Sequence, residues 1–242
     1  MSVVTPTARH AADHRIDRLF YTGMAVAVVV AVFVGFAPTY YLRPRFQTAP
    51  LPFYLHVHGL AFTAWIGLFM AQTMLVAARR IDVHRRLGWA GSALATVMVV
   101  VAITTAILSG RRNVAAGHQD EAFTFLTTPF LAMLVFMSLV GAAVYYRRRT
   151  ETHKRLMLLA TISILDAAVA RWPFELLATS AWALYVLTDL LIVVAILYDL
   201  ASRRRVHPVY LWGGLLILAG QSLRTVLGQT GTWHAIARAI LR

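Results

Sequence analysis

Seven apolar stretches of roughly 20 residues, with Arg, Lys and aromatic side chains at their ends, dominate this chain. A helix rising about 1.5 Å per residue needs about 20 such residues to cross a hydrocarbon layer about 30 Å thick. The stretches lie at roughly 19–42, 53–78, 87–109, 124–146, 155–172, 181–200 and 208–228. Charged residues make up 14% of the chain, against about 25% in a soluble domain. The spacing therefore predicts an all-α, seven-transmembrane-helix bundle in a lipid bilayer. Residues 1–18 precede it as a cytoplasmic segment, residues 19–228 form it, and residues 229–242 follow as a short amphipathic tail on the outer surface. The first run, from about Leu19 to Leu42, exceeds the 7–15 residues of a signal-peptide core and reads as a retained span.

Composition narrows the chemistry. The chain has no cysteine, which removes disulfides, thiolate ligands, iron–sulfur clusters and cysteine nucleophiles. A net charge of +13 would suggest nucleic acid in a soluble protein. Here the basic residues sit at span ends, so membrane orientation accounts for them and nucleic acid is not an expected partner. Fifteen of the 23 Arg and Lys residues fall in the N-terminal segment and the 2–3, 4–5 and 6–7 loops, and six fall on the other side. The positive-inside rule then places the N-terminus in the cytoplasm and the C-terminus outside.

The basic loops also repeat. Residues 79–87 read RRIDVHRRL, and residues 148–156, 69 positions later, read RRTETHKRL. RRRVHP, before the seventh span, is a weaker echo. The layout is one leading helix plus three helical hairpins, a parallel repeat of the kind found in membrane folds. His84 and His153 occupy equivalent places, each two residues after an acid, Asp82 or Glu151. Basic neighbours and a helix N-terminus both favour neutral imidazole, the form that binds a metal. The pair reads as two metal ligands or as a quinone contact. The alternative is a duplicated topology signal with no ligand.

Charges within the spans are the second class of candidate. Asp166, Arg171, Asp189 and Arg224 lie inside expected spans, where an ionisable group is costly unless paired or hydrated. Arg171 and Arg224 fall in the outer half, and Asp166 and Asp189 near the middle. Pro173 lacks an N–H and disfavours helix at Trp172, so the fifth span bends or ends there. If helix continued through the proline, Glu175 could pair with Arg171. The cluster reads either as a ligand pocket or as ion pairs that fix helix packing. His56 and His58 start the second span about 200° apart on a helix, so one ion cannot take both. His58 is the better candidate to face inward, beside Arg171 and Arg224. Gln72 and Gln221 can hydrogen-bond across helices. His10 and His14 share a face at i, i+4, which suits an exposed polar surface better than a metal site. No phosphate loop, nucleophile elbow or HExxH motif is present in a supporting context.

The residues His84-Arg85-Arg86-Leu87-Gly88 and His153-Lys154-Arg155-Leu156-Met157, with His56 or His58 before them, carry a resemblance. Over about residues 53–175 the chain resembles uncharacterised bacterial multi-pass membrane proteins with short HRxxG and HRxxM-type motifs. It is also distantly similar to cytochrome b561-type membrane cytochromes, in which paired helix histidines hold haem b. The resemblance implies a bacterial inner-membrane protein. It also implies a redox role: His84 and His153 as ligands of haem b or contacts to quinone, and His58, Arg171 and Arg224 lining an outer pocket that binds propionates or another anion. The competing expectation is a transporter or small-molecule-binding protein using the outer-half polar groups. A third is an assembly or sensory protein in which those groups only fix packing.

Overall fold

The computed structural model describes residues 6–46 and 50–242, without the side chains of 6–14, 178, 179 and 181. The side chains of His10 and His14 therefore lie outside the described residues. All regular structure among the described residues is helical. Helix α1 (Pro6–Phe36) runs into a π-helical turn (Ala37–Tyr41) and a short α2 (Arg43–Phe46). Then come α3 (Phe53–Ala77), α4 (Ile81–Ala115), α5 (Gln119–Tyr145), α6 (Thr150–Ile162), α7 (Asp166–Val169) and α8 (Glu175–Thr179). Helices α9 (Ala181–Arg203), α10 (Pro208–Leu227) and α11 (Gly231–Leu241) complete the chain.

Among the described residues, five helices are long and apolar enough to cross a membrane: Arg15–Tyr41, Phe53–Ala77, Ile81–Ala115, Gln119–Tyr145 and Trp182–Arg203. Large apolar side chains such as Leu60, Val100, Leu134, Leu215 and Val226 point outward from the bundle, which suits lipid rather than water. The other two expected spans differ from these five. Helix α10 has 20 residues, but Gln221 and Arg224 interrupt its apolar run. The stretch expected at 155–172 is broken into α6 and α7.

The break has local causes. The Ser163 hydroxyl donates back to the Ala160 carbonyl (2.8 Å), which competes with the backbone ladder and bends a helix. Leu165 and Ala168 then bond three residues back, to Ile162 and Leu165, in tighter turns. Pro173 has no N–H to give the Val169 carbonyl, and α7 ends at Val169. That carbonyl accepts from Trp172 N instead (3.0 Å). The Trp172 indole donates to the Ala31 carbonyl of α1 (3.1 Å), tying the broken segment to the first helix.

Packing follows chain order through the middle of the chain, and the later helices fold back on it. α3, α4, α5 and α6 pack as successive neighbours, and α10 returns to lie against α5, α6 and α9. The short α7 sits between α1 and α9. The centre is filled by Trp65 against Phe136 (ring centres 5.0 Å apart, edge-on) and by Met98, Leu139, Leu156, Leu159 and Ile162. Helix α11 lays Trp233, Ala237, Ile240 and Leu241 onto Ala122, Phe123 and Leu126 of α5. The tail expected to lie on the outer surface thus also packs on the bundle.

Gly35 is where α1 meets α7. A Cβ there would lie 2.1 Å from the Ala168 carbonyl oxygen, a backbone atom that cannot swing aside. Overpacking costs typically 1–3 kcal/mol, so Gly35→Val should lower the thermal unfolding midpoint in detergent by several degrees. Gly23→Ala, where nothing lies within 4 Å, should hold it or raise it slightly, since alanine is the better helix former.

Candidate functional site

The polar groups collect at three places. At the end of the bundle where α6 and α10 begin and α9 ends, three carboxylates and three cations are joined in one network. Arg155 and Asp199 have no exposed side-chain surface. The Arg155 guanidinium offers Nε to Asp199 Oδ2 (2.9 Å) and Nη2 to Oδ1 (2.5 Å), a two-point grip on one carboxylate. Its Nη1 donates to the Glu151 carbonyl (2.8 Å) and carboxylate (2.7 Å). Asp17 of α1 accepts from Lys154 (2.7 Å), Arg203 (2.6 Å) and the Tyr198 hydroxyl. Glu151 also takes Lys154 (2.7 Å). The backbone N–H of His207 donates to Asp199 (3.2 Å), bringing in the start of α10. Burial works against the charged form of Glu151, yet Lys154 and Arg155 outweigh it and hold its carboxyl below the ordinary 4.5.

The second place lies near the same end. His84 and His153 face each other edge-on with ring centres 6.3 Å apart. His153 Nδ1 is 2.8 Å from the Ala143 carbonyl, so Nδ1 carries a proton, and in the neutral ring Nε2 holds the lone pair. Gln72 settles His84. With its amide oxygen accepting from Gly88 N (3.1 Å), its nitrogen donates to His84 Nδ1 (2.7 Å). That fixes the proton of neutral His84 on Nε2. The pair therefore presents one N–H and one lone pair. It fits a ligand with one acceptor and one donor. No group of three or more His, Asp or Glu side chains among the described residues could hold a metal ion.

The third place is at the opposite end, around the helix break. Asp166 of α7 accepts from Arg224 Nη1 of α10 (2.6 Å), with both side chains almost fully buried. Gln221, one turn before Arg224, donates to Asp189 of α9 (3.2 Å). Thr127 of α5 donates to the Arg224 carbonyl (3.2 Å). Three buried atoms of the central pair have no partner: Asp166 Oδ1, Arg224 Nε and Arg224 Nη2. Arg224 forms part of the wall of an open cleft of about 780 Å³, with Thr124, Thr127, Thr128, Tyr185, Gln229 and His234. Thr124 and the Gly228 carbonyl position His234 Nε2, at 3.2 and 3.0 Å.

The expected outer pocket thus divides on either side of α7. Arg224 belongs with Asp166, toward α9 and α10. Arg171 turns toward α1, donating to the Ala167 carbonyl and lying over the Phe36 ring at 4.7 Å. His58 is on that side too, stacked on Phe62 with ring centres 4.3 Å apart and with its Nδ1 buried and unpartnered. His56 is exposed and lies beside Tyr40. Glu175 opens α8, beyond the break, rather than continuing the helix of Arg171. Sequence reasoning did not single out Asp17 and Asp199. Their signal was scarcity: the chain has only ten acidic residues, so each one beside an apolar run invites a partner. Comparison with protein-family models, curated proteins and solved structures finds no match.

Removing one member of a buried pair leaves a bare charge and costs about 3–5 kcal/mol. Arg155→Met and Asp199→Leu should each lower the unfolding midpoint strongly in detergent, and the double variant should recover most of the loss. A double variant as unstable as the sum of the singles would show that the two act separately. Glu151 has a lowered pKa, so its contribution is complete above 4.5 and is lost as pH falls through the lowered value. Melting points of the wild type should drop in that acid window, and Glu151→Gln should show a smaller drop.

Proposed function

We propose that this is a seven-span bacterial inner-membrane protein, N-terminus in the cytoplasm, that admits a small polar solute from the outer side in the manner of a transporter or solute-binding protein. The observation that carries this reading is the buried Asp166–Arg224 pair, in which Arg224 Nε and Nη2 have no partner and Arg224 itself forms part of the wall of an open cleft. A buried donor without an acceptor costs about 1–3 kcal/mol or more when charged. Such a cost is commonly retained where a ligand completes the set. Broken helices at membrane depth are tolerated where they line a cavity, and the α6–α7 break sits beside this pair. The six-charge network closes the opposite end, which the excess of Arg and Lys assigns to the cytoplasm. Open outside and latched inside is an arrangement that alternating access requires.

The His84–His153 pair favours a second reading, electron transfer with a quinone. A quinone carbonyl would accept from His84 Nε2–H, and His153 Nε2 would accept from a quinol hydroxyl. On that reading, solvent extracts of the purified protein contain quinone, and His153→Leu removes it. A Soret band in the visible spectrum would put haem b in quinone's place.

The native chain has no cysteine, so single cysteines report topology directly. A membrane-impermeant maleimide should label Gln229→Cys in intact spheroplasts and Arg148→Cys only after lysis. The reverse pattern would overturn the orientation. In detergent, a panel of small solutes should contain at least one that raises the wild-type melting point and has no effect on Arg224→Gln. A panel with no such solute would favour a packing role for the pair.

A further inference from the structure

The ligand class can be read from the part of Arg224 that is unused. A guanidinium has one edge, formed by Nε and Nη2, whose two parallel N–H groups match the two oxygens of a carboxylate. Arg155 shows that edge filled within the same molecule, gripping Asp199 at 2.9 and 2.5 Å. Arg224 engages Asp166 through Nη1 only, and its Nε and Nη2 are the two nitrogens left without partners. The side chain is 3% exposed, so water does not freely solvate that edge.

The surroundings specify a second ligand group. The Asp166 carboxylate that holds Nη1 lies behind the cleft wall, beside the Thr188 hydroxyl, so the acids a ligand would meet are others. Asp120 and Glu121 line the cleft and are exposed. A simple anion would meet these acids on entry, whereas a ligand that also carries an ammonium group is attracted by them. Thr124, Thr128 and Gln229 give the cleft wall further hydrogen-bonding groups.

We propose that the cleft binds a small zwitterionic amino carboxylate, its carboxylate on the Nε–Nη2 edge of Arg224 and its ammonium toward the acids of the cleft wall, Asp120 and Glu121. This rests on the reading of the cleft as a solute site. Arg224→Lys keeps the charge beside Asp166 but cannot supply the planar two-point edge. Thr128→Trp fills the cleft without touching the ion pair, so it tests the site even if the Arg224 variants fold poorly.

The test is thermal stabilisation of the detergent-purified full chain against a panel of glycine, alanine, acetate, ethylammonium and inorganic phosphate. Glycine or alanine should raise the melting point in a saturable manner, while acetate and ethylammonium do not. The apparent affinity should fall at least roughly tenfold in Arg224→Lys and be lost in Thr128→Trp. If acetate or phosphate stabilises as well as the amino acids through Arg224, the zwitterion proposal is overturned and the solute site stands. If no member of this panel or a broader solute panel shifts the wild type, both fail.

Discussion

A guanidinium and a carboxylate, Arg155 and Asp199, face each other with no solvent on either side. Glu151, Arg203 and the His207 N–H are all bonded to one or other member of this pair. Taken singly, each would be an ion in a low-dielectric interior, at a cost of several kcal/mol. Together they align the start of α6 with the end of α9, and the His207 N–H adds the start of α10. Asp17 extends the network to α1 through Lys154 and Arg203. Helices far apart in the chain are thereby held by charges at fixed geometry. The hydrophobic effect gives no drive for this between helices in lipid, because lipid tails are as apolar as the side chains they would replace.

The opposite end is built on a different principle. There the chain gives up helix, first at Ser163 and then at Pro173, and leaves α7 as a single turn between α1 and α9. The shortened segment presents Asp166 to Arg224 on one flank and Arg171 to Phe36 on the other. One end is a network in which all three guanidinium nitrogens of Arg155 are engaged. The other holds a pair with donors to spare beside an open cleft. That contrast between filled and unfilled hydrogen-bonding capacity supports a ligand at the second end.

Much of this was legible in order of physical strength. Apolar runs fix the membrane-length helices because an unpaired backbone polar group in lipid costs several kcal/mol. Pro173 announced the break, since its missing N–H is a property of the residue alone. Asp166, Arg224, Asp189 and Gln221 were marked by their cost inside apolar runs. Which of them meet was not legible: Arg171 and Arg224 looked like partners in one pocket, and α7 separates them. The Ser163 break was also hidden, because a serine in a helix bends it only when its hydroxyl turns back to the backbone.

The repeat shows where sequence ends and tertiary structure begins. RRIDVHRRL and RRTETHKRL encode the same local event, a basic loop turning into a helix with a histidine in its first turns, and both α4 and α6 begin there. Arg86 and Arg155 are equivalent in that pattern. Arg86 is exposed, while Arg155 is wholly buried. The sequence by itself determined the helices, the apolar surface and the scarcity of acids. Tertiary structure decided which arginine meets an acid, because burying a charge depends on what the rest of the chain brings within 3 Å of it. Asp199 is 44 residues from Arg155 along the chain, a separation that local sequence cannot encode.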